Sequence, residues 1–423
     1  MLLKSLLTRV EREPVAEPVR ERFGRHWQLL EQAEAHDARA VRETLDYPSV
    51  GVWLAGALAA CEGEEFAGWL EHFGGVVGAA VLRAGFPCEL VLPVFGGRLT
   101  LPGVGAVRTG AGAVRLRVGP RVVRPARVGS FPYPPLPAAS ICGSAAWGLR
   151  PRPSGPAEAG GSGAEPPISG RGGEGKQTPG ARNPRGTGTD WLALRRLPGS
   201  GAYLDDLDPY RAPSTGVGAA ALPAAPRERV RSEPWVGRWR EAVGLLRGVD
   251  ARRADEVTAL LRALVPLDQP AQGAPRVSAT FRAAPGAVLA ALPETAADLA
   301  AVLVHETQHS KLSLLHDLLP LHAAGPEAVH RVAWRADPRP FEGVLQGTYA
   351  HLGLADFWAR AATGPALPAG ARDAARTRRD SYCRQVAEAL RILLESNELT
   401  AAGREFALGM AGHLATLDGA AGA

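Results

Sequence analysis

Glu294-Thr295-Ala296-Ala297-Asp298-Leu299-Ala300-Ala301-Val302-Leu303-Val304-His305-Glu306-Thr307-Gln308-His309-Ser310-Lys311-Leu312 runs on to Leu319 without a glycine or a proline. The start signal Pro293-Glu294-Thr295 and the stop at Pro320 predict one long helix over 294–319. Inside it stands an H-E-x-x-H pattern. At 3.6 residues per turn, positions four apart share a face, so His305 and His309 can grip one metal ion. Glu306 stands to the side of that pair, where it can polarise a metal-bound water or hold a histidine in position. The competing reading is a surface helix with two solvated histidines. The apolar residues packed around the motif argue against it.

Working outward, Val277 to Phe281 and Ala287 to Leu292 alternate like strands just before this helix. A β-edge leading into such a helix resembles zincin-type sites, where an edge strand beside the metal holds an extended peptide by backbone pairing. Further upstream, Arg227 to Arg247 and Ala251 to Val265 predict two helices, and Trp191 to Leu197 and Ala202 to Leu204 two short strands. Asp205-Asp206-Leu207-Asp208-Pro209-Tyr210-Arg211 reads as an acidic turn docked on the protein, ahead of a cation site. Downstream, Trp334 to Pro340 reads as extended, followed by helices from Pro340 to about Ala361, Thr377 to Glu395 and Thr400 to Leu417.

The N-terminal part reads as scaffold. One or two amphipathic helices fall within 14–43, with two more over Pro48 to Cys61 and Glu64 to Leu82. Short β-rich runs between Cys88 and Val123, punctuated by Gly-Gly and Pro-Gly, predict a small antiparallel meander. Residues 150–188 are rich in Gly, Pro, Ser and Arg and almost empty of large apolar side chains, which predicts a disordered linker or insertion. The expected fold is α+β and predominantly helical. Its organisation is a helical N-terminal region with a β meander (1–149), the linker (150–188), and a mostly helical catalytic domain with an edge strand (189–423).

A chain of 423 residues with 46% hydrophobic content can bury a large core. The formal charge of +5 is spread out, without an aromatic-studded basic face, so nucleic acid is not an expected partner. Cys61, Cys88, Cys142 and Cys383 form no C-x-x-C pair, which fits a reducing cytoplasm. Leu2 to Leu7 is broken by Lys4 and followed by Arg9, so no signal peptide is expected, and no apolar run is long enough to predict a membrane span.

Two histidines hold a catalytic metal poorly, so a third protein ligand is expected. Leu312 and Leu315 stand where longer protease motifs carry Gly and His. His316 shares the face of His309 but lies about 10.5 Å further along the axis, nearer a pocket mouth. His322 and His330 read as solvated loop histidines. On the helix after Pro340, Glu342 and His351 are out of phase, so one of them at most can ligate. Glu342 would complete a two-histidine, one-carboxylate set, whereas His351 sits among the small residues Gly347, Thr348 and Ala355. Both remain open.

The runs from His305 to Leu312, Trp334 to Pro340, Leu345 to His351 and Leu204 to Arg211 resemble the actinobacterial H-E-x-x-H proteins associated with modification of ribosomally made peptides. That resemblance implies an iron(II)- and 2-oxoglutarate-dependent hydroxylase acting on a side-chain β-carbon of a precursor peptide, with His305 and His309 as the iron ligands. An arginine would pair with the distal carboxylate of 2-oxoglutarate, and Arg339 or Arg335 offers the two-pronged contact that a lysine cannot. The bland role for Arg339 is a salt bridge to Asp337 or Glu342. Lys311 is expected at the surface or against a partner. Two alternatives stand beside this reading. One is a zinc peptidase with Glu306 as general base. The other is a non-catalytic subunit that recognises a precursor peptide for other peptide-modifying enzymes.

Overall fold

A computed structural model describes residues 2–119, 123–128, 190–271 and 277–419. The expected linker at 150–188 lies outside the described residues. The first part is helical: α1 (Leu2–Arg12), α2 (Glu17–His36), α3 (Ala38–Leu45), α4 (Pro48–Ala59), α5 (Glu64–Glu71) and α6 (Phe73–Ala84). The helix expected over Glu64 to Leu82 is therefore two, divided at His72. The α1 helix has no counterpart in the sequence reading, although Leu6 and Val10, one turn apart, are both buried.

The expected meander divides between two antiparallel sheets. β1 (Cys88–Pro93), β4 (Ala113–Val118) and β5 (Val123–Val128) form one, and β2 (Arg98–Leu101), β3 (Gly105–Arg108) and β6 (Asp190–Ala193) form the other. The correction comes from β6, a strand distant in sequence that takes the free edge of β3.

A five-stranded mixed sheet stands at the centre. Along the chain it takes β7 (Arg195–Arg196), β8 (Tyr203–Leu204), then helices α7 (Ser232–Val249) and α8 (Ala251–Leu260), then β9 (Ala263–Pro266), β10 (Ser278–Ala279) and β11 (Ala287–Ala290). Its spatial order is β10-β11-β9-β8-β7, with β9 parallel to both neighbours. Residues 263–265, expected to end a helix, are thus strand. A central strand covered on both faces reads as a continuous apolar run, which periodicity alone does not separate from a buried helix. Alternation survives in the packing: Ala263 and Val265 join the N-terminal helices in one core, and Leu264 faces α7 in another.

The motif helix is α9 (Ala296–Leu318). Thr295 caps it by accepting the Asp298 backbone N–H at 3.1 Å. Leu299, Ala300, Leu303 and Val304 are completely buried in the core under the central sheet. Each such leucine contributes about 1.5–3 kcal/mol of apolar burial. On the opposite side, Leu312 belongs to a third core. That core holds the hairpin β12 (His330–Val332) and β13 (Arg335–Arg339), with α10 (Phe341–Thr363), α11 (Ala369–Glu395) and α12 (Ala401–Gly419). His330 is therefore on a strand, because it pairs with Arg339 across the hairpin. Pro340 is the N-cap of α10 and not its first residue.

The architecture is α+β and predominantly helical. Among the described residues, no helix is long and apolar enough to cross a membrane.

Candidate metal centre

His305 and His309 meet on one face of α9 with their Nε2 atoms 3.1 Å apart and their rings nearly perpendicular, at 84°. Two nitrogens that each ligate one ion at about 2.0–2.1 Å stand roughly 3 Å apart, so the observed pair has the spacing of two ligands of a single ion. Both residues keep part of their surface open.

The tautomer of His309 follows from its neighbours. Gln346 on α10 donates from Nε2 to Ser313 Oγ at 3.2 Å, which turns its carbonyl Oε1 to His309 Nδ1, also at 3.2 Å. The Nδ1 proton is used in that bond, and the Nε2 lone pair is bare beside His305. Burial lowers the pKa of His309, with the Arg339 charge adding to it and the Gln346 bond opposing it. For His305, burial and then the charges of His309 and His351 hold it well below the ordinary value. Both rings are neutral near pH 7, the state a metal requires.

His351 approaches the same place from α10. Its ring centroid lies 5.4 Å from that of His305, between the edges of Trp334 at 4.5 Å and Tyr382 at 5.2 Å. Burial takes its pKa down to about 4. Among the described residues, the Nδ1 atoms of His305 and His351 are buried without hydrogen-bond partners. As placed, no group of three or more His, Cys, Asp or Glu side chains among the described residues forms a complete ligand set. His305 and His309 form the pair, and the His351 ring lies beside His305. Glu342, the alternative ligand, is half-buried in the first turn of α10, and among the described residues it makes no hydrogen bond to either motif histidine.

Close packing of α10 on α9 produces this meeting. A Cβ on Gly353 would stand 2.8 Å from Gln308 Cγ, and one on Gly347 would stand 2.6 Å from the Trp334 ring. Glycine at these two positions lets α9 and the Trp334 indole reach the helix surface beside His351.

Glu306 points elsewhere. It is buried, and its Oε1 accepts a hydrogen bond from Ser278 Oγ on β10 at 2.7 Å. Burial pushes its carboxyl up to about 7 against the opposing Ser278 bond. A second link, Thr280 Oγ1 to Ser310 Oγ at 3.1 Å, also ties the region of the edge strand to α9.

The two arginines separate. Arg335 is exposed and donates to Asp337 at 3.1 and 3.4 Å. Arg339 is half-buried, lies 3.6 Å from Asp337 and folds over Gly343 at the start of α10, close enough to His309 for its charge to act there.

Other expected residues fall outside the centre. Lys311, partly exposed, pairs with Glu256 on α8. His316 packs on His322 at 4.7 Å instead of opening onto the site, and half-buried His322 also packs on Phe341, unlike a solvated loop residue. Asp205 accepts from Tyr47 at 2.8 Å, Asp208 accepts from Ser49 at 2.7 Å, and Arg227 holds Asp206 at 2.7 Å, so the acidic turn is docked. The sequence reading gave no role to Gln346, Ser278, Ser313 or Tyr382. The available signal was the amide of Gln346, roughly one turn before His351 on the facing helix.

Comparison with protein-family models gives no match, and comparison with curated proteins gives none.

Proposed function

We propose that this chain is an iron(II)- and 2-oxoglutarate-dependent enzyme that hydroxylates a side-chain β-carbon in a ribosomally made precursor peptide in the cytoplasm. The observation that carries the metal assignment is the 3.1 Å Nε2 pair of His305 and His309, with Gln346 fixing the His309 tautomer. His351 is the third ligand in this reading. The assignment to peptide hydroxylation rests on the resemblance of the motif segments.

Iron(II) bound by three protein side chains on one face, together with a 2-oxo acid, supplies the oxidising power to place oxygen into a C–H bond. The side chains prepare that chemistry. Neutral His305, His309 and His351 offer nitrogen lone pairs without first losing a proton. Arg339 is the arginine that fits a carboxylate near His309, since its tie to Asp337 is longer than a hydrogen bond. The edge of β10 offers backbone groups for an extended peptide beside the motif helix. Glu306 braces that strand through Ser278.

A zinc peptidase is the second reading, favoured by the position of Glu306 beside an edge strand and by its carboxyl standing at about 7, suited to taking a proton from water. The test incubates iron-loaded protein with its candidate precursor peptide, with and without 2-oxoglutarate, and follows peptide mass and succinate. Gain of one oxygen atom coupled to succinate is the expected result. Cleaved peptide from zinc-loaded protein, indifferent to 2-oxoglutarate, would overturn it.

A further inference from the structure

A cavity of about 470 Å³ lies in the N-terminal half, and no residue of α9 or α10 lines it. Its walls come from α4, α6, the β1–β2 region and the acidic turn, and it has the size and mixed character of a small-molecule site. One side is aromatic. His72 stacks on Phe95 with centroids 4.3 Å apart, and Tyr210 meets His72 edge-on at 5.1 Å. Trp53 and Leu99 extend the apolar wall.

The charges in this cavity do not balance. Glu71 is paired with Arg22. Asp208 accepts from Ser49 Oγ at 2.7 Å and from the Tyr210 backbone N–H at 2.8 Å. Burial, then the neighbouring Asp205, pushes the Asp208 carboxyl up to about 7, toward its neutral form. Arg211 spends its terminal nitrogens on the Asp208 and Ala225 carbonyls, and its buried Nε has no partner among the described residues. Arg98 is half-buried, and among the described residues its guanidinium has no ion pair or hydrogen bond. Glu228, the carboxylate whose charge acts on Arg98, is taken by Arg108 at 2.8 Å. Arg108, Arg211 and Arg227 all add positive charge around Arg98.

From this arrangement we infer that the cavity is a binding site for a small organic acid with an aromatic body, its ring against Phe95 and Tyr210 and its carboxylate on Arg98. The guanidinium fork matches a carboxylate in two prongs, and a partly dry wall strengthens that pairing. An ammonium ligand would meet uncompensated like charge. The inference is independent of any metal at the histidine centre.

Calorimetric titration of the full chain with 3-phenylpropionate, 3-phenylpropionamide and 3-phenylpropylamine separates the terms. The acid is expected to bind at least tenfold more tightly than the amide or the amine. Arg98→Gln should bring the acid down to the level of the amide, and Phe95→Ala should weaken acid and amide alike. Equal binding of all three probes would make the slot merely apolar and overturn the assignment, as would no binding at millimolar concentration. Unchanged acid affinity in a folded Arg98→Gln variant would overturn it too. The comparison of acid with amide on the unaltered chain decides the question even where a variant fails to fold.

Discussion

His309 Nδ1 and Gln346 Oε1 meet at 3.2 Å across the α9–α10 interface, joining the metal-binding face of one helix to the facing side of the other. This bond decides which nitrogen of His309 is free, so Gln346 is a positioning residue. Gln346→Leu keeps similar bulk and removes the acceptor. Metal affinity is expected to fall about 10- to 100-fold while the circular dichroism spectrum stays unchanged. Metal titration against a competing chelator measures it, and unchanged affinity would remove Gln346 from the site.

His305→Ala and His309→Ala are each expected to abolish metal binding with the fold retained, because the cores on either side of α9 do not depend on these rings. His351→Ala should weaken metal binding strongly, and Glu342→Ala should leave it within about twofold. The reverse order for the last two would assign Glu342 as the third ligand.

The two arginines make a matched pair of variants. Arg339→Ala should raise the KM for 2-oxoglutarate at least tenfold, about 1.4 kcal/mol or more of lost binding. Arg335→Ala should barely change it, since that side chain is exposed and tied to Asp337. Equal effects of both, read in initial rates of succinate formation, would remove this role from Arg339.

The motif helix, its cap and its stop were legible because their signals are local: Thr295, the 3.6-residue period and Pro320. The placement of His305 and His309 on one face of that helix was legible for the same reason. What decided the surroundings was not local. Whether 263–265 formed strand or helix depended on sheet neighbours that cover both faces, and whether β3 had a free edge depended on β6, far along the chain. Where His351 and Glu342 lie relative to the motif histidines depends on how α10 packs against α9. That packing includes the close approach of Gln308 to Gly353, where a sequence shows only a missing side chain.

Acid should destabilise the N-terminal core through His26. Burial lowers its pKa from 6.5 to about 4, with Arg22 and Arg25 adding to the effect. Between those values the unfolded chain binds a proton that the folded chain does not, so stability is fully present above about pH 6.5. It falls as pH drops toward 4 and levels off below it. The loss from this group is about 3 kcal/mol at most. Denaturant melts of the parent and His26→Gln between pH 7 and pH 4.5 isolate the contribution as the difference in slope. A variant with the same slope as the parent would show that His26 does not titrate this way.

Glu306 and Ser278 separate the two functional readings. The carboxylate is buried and accepts from Ser278 Oγ at 2.7 Å, so it joins α9 to the edge strand β10. If Glu306 is the base of a peptidase, Glu306→Gln removes the proton acceptor and turnover stops with the metal still bound. If it braces the strand in an oxygenase, Glu306→Gln still presents an oxygen to Ser278, and hydroxylation coupled to 2-oxoglutarate should fall less than about tenfold. Glu306→Ala and Ser278→Ala both break the link, and each should weaken peptide binding, seen as a raised KM for peptide with kcat less affected. Measuring metal content, KM and kcat on the four proteins gives a distinct pattern for each role. Complete loss of activity in Glu306→Gln with full metal content would overturn the bracing role and leave proton transfer as the function of this carboxylate.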